Sequence, residues 1–176
     1  MLPPKGKSGP GRAGADPPND FAPASGPDVS EKLRALADSN QIAIANITGK
    51  RPLVLLVDDE PEVGVLSQLM LCEEGYKVVT ALDGDQAIAI FEKLRTHISL
   101  VILDLIMPSM DGEDVFNRLR ELEPGINVVL SSGFTNQEKL DRMLAHGLRG
   151  FIAKPFTQQR LLEQVREIVA SAKEEA

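Results

Sequence analysis

Five polar side chains stand close behind apolar runs. The neighbouring acids Asp58 and Asp59 follow Leu53–Val57, and Asp104 follows Ser99–Leu103. Ser132 comes after Ile126–Leu130, and Lys154 after Gly150–Ala153. Three carboxylates brought to one place repel each other unless a cation sits between them. Carboxylates are hard oxygen ligands, and one or two of them with phosphate oxygens and waters describe a Mg²⁺ site. A lysine beside such acids can balance charge and hold a phosphoryl oxygen, while a serine hydroxyl can donate to another. Phosphoryl transfer needs little beyond a positioned nucleophile and an electrostatic clamp of this kind. A carboxylate can be that nucleophile, and Asp104 is assigned the part. Glu60 extends the acidic turn, but its direction is ambiguous from sequence, and it is left out of the metal shell.

The elements that must position these residues alternate with a regular beat after Pro52. Leu53–Val57 reads as a strand buried on both faces. Pro61 can open a helix, with Val63, Leu66, Leu69 and Met70 at helical spacing and Gly75 ending it. Lys77–Thr80 is a second strand, followed by a helix marked by Ala87, Phe91 and Leu94. Ser99–Leu103 is a third strand, with Val115, Phe116, Leu119 and Leu122 on the next helix. Ile126–Leu130 is a fourth, before a weaker helix around Leu140, Met143 and Leu144. Gly150–Ala153 is the fifth strand, and Leu161, Leu162, Val165, Ile168 and Val169 build the last helix. Five such units with short connections predict an α/β fold, a doubly wound five-stranded parallel sheet with helices on both faces. Ligands in such sheets sit beyond the carboxyl ends of the strands, where the five polar residues fall.

The chain of 176 residues suits one domain plus an extension. Residues 1–28 hold seven Pro and five Gly and predict a disordered segment. Residues 29–51 read as a linker with a helical pattern: Asp28 and Glu31 are spaced like a capping box, and Leu33, Leu36, Ala37, Ile44 and Ile47 recur at helical spacing. That helix is either a fraying linker or a partner-binding, dimerising element. Residues 52–176 form the folded domain. Of the formal net charge of −7, residues 1–28 contribute zero and residues 29–52 contribute +2, so the part after residue 52 carries −9, which disfavours nucleic-acid binding through phosphate contacts. No apolar run has the length of a membrane span. The single cysteine, Cys72, fits a reducing compartment. A cytoplasmic location without membrane or nucleic-acid contact is therefore expected. Cys72 is expected to be packed, and neither His97 nor His146 presents itself as a metal ligand or phosphodonor.

Four stretches, taken together, resemble the response-regulator receiver domains of two-component systems. They are Leu55-Leu56-Val57-Asp58-Asp59-Glu60, Asp104-Leu105-Ile106-Met107-Pro108 with Asp111-Gly112, Ser132-Gly133, and Lys154-Pro155-Phe156. The resemblance covers about residues 52–172. The wording of the later motifs is most similar to receivers of hybrid sensor histidine kinases. The resemblance implies a flavodoxin-like sheet of order 2-1-3-4-5. It also implies phosphorylation of Asp104 by a histidine kinase or histidine phosphotransfer protein, with Mg²⁺ as cofactor. Asp59, Asp104 and the backbone carbonyl of Ile106 match metal ligands, and Asp58 matches an acid acting through water. Lys154 matches the phosphate-pairing lysine, with a cis bond to Pro155. Ser132 and Phe151 match a hydroxyl–aromatic switch pair that reshapes a partner-binding face.

Ile106 and Phe134 would then flank the acyl phosphate, and their apolar character predicts slow loss of the phosphoryl group. The chain ends soon after Lys154, so output is expected to pass to a downstream protein, with a homodimer possible. Two other readings stay open at this point. A phosphatase of the aspartyl-phosphate class also uses strand-end acids, but such enzymes usually carry a second acid where Ile106 stands. A degenerate scaffold is the other, although all five polar positions are filled. Incubation with a small phosphodonor and Mg²⁺ separates the three.

Overall fold

Leu53–Val57 (β1) is apolar at every position because it is covered on both faces: all five residues are buried. It is the second strand of a five-stranded sheet described by a computed structural model for residues 29–133 and 136–174. The order is β2-β1-β3-β4-β5. The other strands are β2 (Lys77–Ala81), β3 (Ile98–Asp104), β4 (Val128–Ser132) and β5 (Gly150–Ala153), and every pairing is parallel. The expected α/β sheet and its order are both found. β4 starts two residues later than the apolar run Ile126–Leu130 suggested and carries Ser131 and Ser132 inside the strand. Burial decides here: both serines are at most 3% exposed.

The helices are α1 (Val29–Ser39), α2 (Pro61–Glu73), α3 (Gly84–Leu94), α4 (Gly112–Leu122), α5 (Gln137–Ala145) and α6 (Gln158–Glu174). Their starts follow from local chemistry. Asp83, Asp111 and Asn136 each accept a backbone N–H of the first turn of α3, α4 and α5, satisfying a donor that would otherwise lack a partner. Pro61 opens α2, where the N–H it lacks is not needed. Two apolar layers result. One joins Leu33 of α1 with Phe91, Phe116 and Met143 of α3, α4 and α5. The other joins Leu71 of α2 with Leu161, Leu162 and Val165 of α6.

α2 meets the sheet through a different stripe from the one its large apolar residues suggested. Gly64, Ser67 and Leu71 are buried, whereas Leu66 and Leu69 are each 54% exposed. A Cβ at Gly64 would meet nothing within 4 Å, so Leu71 is the large apolar residue of the inward stripe, and the other large ones are left on the adjoining face. The helical pattern near the N-terminus stops at Ser39, and residues 40–52 run as turns and extended chain with one bridge at Ala45. Residues 1–28, including the Asp28 of the expected capping box, lie outside the described residues, as do Phe134 and Thr135.

Candidate functional site

The parallel register brings the strand ends to one rim. Asp104, the last residue of β3, is 5% exposed. Its Oδ1 accepts the Ile106 N–H at 3.0 Å, and its Oδ2 accepts from Lys154 Nζ at 2.6 Å. Asp58, just beyond β1, is 4% exposed. Its backbone N–H donates to Ala81 O at 3.1 Å, and its Oδ1 accepts the Glu60 N–H at 3.0 Å. Lys154 Nζ lies 2.7 Å from Asp58 Oδ2 and 3.5 Å from Glu60 Oε1. Carboxylate oxygens of Asp58, Glu60 and Asp104 all lie within 4.8 Å of one another.

Burial pushes the Asp58 carboxyl above its usual range, outweighing the pull of Lys154 and the Glu60 amide, and the nearby Asp104 charge adds to the rise. Burial works against the Lys154 ammonium too. There, hydrogen bonds and charge from Asp104 and Asp58 win and hold it above the ordinary lysine value. Lys154 is therefore a cation shared by two buried acids.

The donor set fits a hard divalent ion. Oxygens about 2.1 Å from a central Mg²⁺ are separated by roughly 3–4 Å, and the three carboxylates, with oxygens within 4.8 Å of one another, need only small side-chain shifts to share one ion. Sequence reasoning assigned direct coordination to Asp59 and left Glu60 out. The carboxylates that converge are those of Asp58, Glu60 and Asp104, while Asp59 lines the neighbouring cleft. The signal was present: in extended chain, residues two apart share a side, and Glu60 keeps extended geometry at φ −89°, ψ 101°.

That cleft has a volume of about 610 Å³, and Asp59, Asp104, Ile106, Ser132 and Lys154 are among its walls. Ser132 is 1% exposed, and its carbonyl accepts the Lys154 N–H at 2.9 Å. Ile106 is 57% exposed at the mouth. The Lys154–Pro155 bond is cis. Phe151 is half-buried on β5, in register with Leu130 of β4. Phe134 lies outside the described residues.

Gly112 supports the acceptor from below. Its N–H donates to Leu105 O at 3.0 Å, and a Cβ there would come within 2.7 Å of Leu105 Cα. Only a residue without a side chain lets α4 begin so close to the Asp104–Leu105 backbone. Sequence reasoning noted Asp111-Gly112 as part of a motif without finding this reason.

Residues 54–166 match the family described as Response regulator receiver domain. The chain belongs to the response-regulator receiver family. As a receiver it is a signalling module rather than a catalytic enzyme. It is 34% identical over 116 residues to the sensor kinase CckA of Brucella abortus, a match spanning 66% of this chain and 12% of that protein. It is 33% identical over 121 residues to the probable transcriptional regulatory protein TcrX of Mycobacterium tuberculosis, covering 69% of this chain and 51% of that one. The receiver thus spans about half, or much less, of the length of these relatives. Sensor kinases and transcriptional regulators match equally well, so the expected leaning towards hybrid kinases is not singled out. Among solved structures, the receiver is similar to the CheX-CheY-BeF3-Mg²⁺ complex of Borrelia burgdorferi. The TM-score is 0.64 at 27% identity, covering 66% of this chain and 88% of that chain. Among the described residues no helix is long and apolar enough to cross a membrane.

Proposed function

We propose that the receiver accepts a phosphoryl group on Asp104 from the phosphohistidine of a histidine kinase or histidine phosphotransfer protein, and passes the signal through a changed surface to a downstream protein. The observation that carries this reading is the Asp104 carboxylate: buried at the end of β3, held by Lys154 and the Ile106 amide, and facing a cleft open to a donor. In the transfer the donor's P–N bond breaks, a P–O bond forms to a carboxylate oxygen of Asp104, and the imidazole leaves with its electron pair.

Lys154 must then turn from pairing two carboxylates to pairing the phosphoryl oxygens, and its raised affinity for the proton keeps it cationic throughout. Bound Mg²⁺ would be held by Asp58, Glu60 and Asp104, with Asp59 and the Ile106 carbonyl available from the cleft side, and would supply electrostatic stabilisation of the phosphoryl oxygens. Ser132 is placed on the cleft wall to donate to one of those oxygens. Phe151 neighbours β4 and is half-buried, so its ring has room to turn inward if Ser132 moves.

Support for a protein donor comes from the ground beside the cleft. α2 exposes Val65, Leu66 and Leu69 there, each more than half accessible, and grouped apolar surface of this kind is what partners cover. The excess of acidic charge supports a protein partner over nucleic acid.

The test is incubation with a small acyl phosphate and Mg²⁺, read by intact mass. One phosphoryl group per chain, lost in Asp104→Ala and on chelation of the metal, is expected. Undiminished incorporation in Asp104→Ala would sink the assignment.

A further inference from the structure

An edge strand presents a row of backbone groups to any chain that can add to it. β2 is one edge of this sheet. Across its outward side runs the segment that precedes β1. Ala45 N–H donates to Val78 O at 2.8 Å, and Val78 N–H donates to Ala45 O at 3.1 Å, an antiparallel bridge on an otherwise parallel sheet.

The same segment is fixed on both sides of that bridge. Upstream, Leu33 and Ala37 of α1 are each 2% exposed, and Leu33 belongs to the layer that includes Phe91 of α3. Ile42 N–H donates to Ala37 O at 2.9 Å, closing the helix onto the strap. Downstream, Asn46 takes the left-handed conformation at φ 51°. Its side-chain amide donates to Cys72 O at 3.2 Å and Tyr76 O at 2.9 Å. Arg51 N–H donates to Gly75 O at 3.0 Å, and the Arg51 guanidinium lies 5.1 Å from the centre of the Tyr76 ring. A linker has a solvated backbone and few fixed contacts. This one is tied to α3, to β2 and to the turn between α2 and β2.

We infer that residues 29–51 are an edge clamp belonging to the folded unit, with α1 seated on α3 and the 42–51 strap closing β2 against strand addition by a second copy of the chain. The folded unit then begins by residue 29 and not at residue 52, and β5 is left as the edge with no strand beyond it among the described residues. The clamp does not depend on the chemistry at Asp104.

The full-length chain tests this by hydrogen exchange, thermal melting and sedimentation. Tyr76 is the only tyrosine and there is no tryptophan, so intrinsic fluorescence reports on the clamp's own contact. In the wild type, amides of residues 42–46 are expected to exchange at least about 100-fold more slowly than in an unstructured peptide. Leu33→Ala should lower the melting midpoint by about 4–15 °C, in one transition seen alike by far-UV circular dichroism and by Tyr76. Ala45→Pro removes one donor of the bridge and keeps an apolar side chain where Ala45, partly buried, packs on the edge of the layer that holds Tyr76 and Val78. It should raise exchange across residues 77–81 at least about 10-fold, leave 128–132 unchanged, and produce a concentration-dependent dimer. Free-peptide exchange at 42–46 in the wild type overturns the clamp, as does a Leu33→Ala variant melting at the wild-type temperature. An Ala45→Pro chain whose β2 opens but which stays monomeric at every concentration overturns the edge-closing role. If Leu33→Ala does not fold, the segment is integral, and the other two measurements decide the rest.

Discussion

Lys154 Nζ lies almost equidistant between two buried carboxylates, 2.6 Å from Asp104 and 2.7 Å from Asp58. All three side chains are at most 12% exposed. The ammonium is therefore what makes the acid pair tolerable at neutral pH, and it marks where cationic charge is needed at the site. Removing one partner of such a buried set costs about 3–5 kcal/mol, mostly for the charge left uncompensated.

Lys154→Ala should accordingly lose stability at neutral pH and recover part of it in acid. With the ammonium gone, the buried Asp58 carboxyl, already raised by burial, holds its proton more tightly folded than unfolded. Stability is then present below its unfolded pKa and lost as pH rises through the folded one. Thermal melts from pH 7 to pH 5 should show the gap to wild type narrowing, and added Mg²⁺ should raise the midpoint of the variant more than that of the wild type. A gap that stays constant over this range would show that the acids are not facing each other.

Gly112 is predicted to be intolerant of even one methyl group. A Cβ would press on the Leu105 Cα and on the Asp104 carbonyl, and both belong to the backbone, which cannot swing aside. Gly112→Ala should cost at least about 1–3 kcal/mol as an overpacked site, despite the gain in helix propensity. It should also slow phosphorylation of Asp104 by shifting the acceptor. A variant as stable and as readily phosphorylated as wild type would refute the close approach.

The order of the sheet was implied by the family resemblance alone, whereas the central strands were legible because burial on both faces writes an unbroken apolar run into them, as in Val54 through Val57 and Leu100 through Leu103. The rim was legible for the same reason, since a polar residue closing such a run can only face the strand end. Other features were hidden. The inward stripe of α2 includes Gly64 and Ser67 beside Leu71, and no hydrophobic pattern selects the first two. Glu60 joins the acidic cluster through the extended backbone after Asp58; its two-residue spacing from Asp58 was a signal only once the turn is known to be extended, which three acids in a row do not say. The clamp was hidden because its decisive bonds come from backbone groups and from one asparagine. Its apolar spacing at Leu33 and Ala37 was read as a fraying linker helix or a partner-binding, dimerising one, because spacing alone does not say which surface covers it.

Ile106 should slow the loss of the phosphoryl group by keeping a polar anchor for water away from the acceptor. It sits two residues after Asp104 on the cleft wall, and its N–H is already engaged by Asp104 Oδ1. Ile106→Asn should shorten the lifetime of the phosphorylated form at least about threefold, since an amide there can orient an attacking water. Folding should be unaffected, because the side chain is largely exposed. The measurement is decay of the phosphorylated mass after removing the donor; an unchanged or longer lifetime would count against shielding.

Asp111 offers a pH dependence of the opposite sign to Asp58. Partial burial would raise its carboxyl, but the Lys139 ammonium and the Glu113 amide outweigh that and hold it below the ordinary value of 3.8. Lys139 Nζ approaches its two oxygens at 2.5 and 2.6 Å, tying the start of α4 to α5. A depressed folded pKa means that the pair stabilises the fold above the unfolded carboxylate pKa and ceases to do so as pH falls through the folded one. Asp111→Asn keeps the helix cap, since asparagine caps about as well as aspartate, and removes only the charge. The side chain is half exposed, so solvent screening should hold the loss at pH 7 to under about 1 kcal/mol. The gap in melting midpoint between wild type and Asp111→Asn should persist down to about pH 4 and close below it. If it closes by pH 5, Lys139 is not what holds the Asp111 proton off.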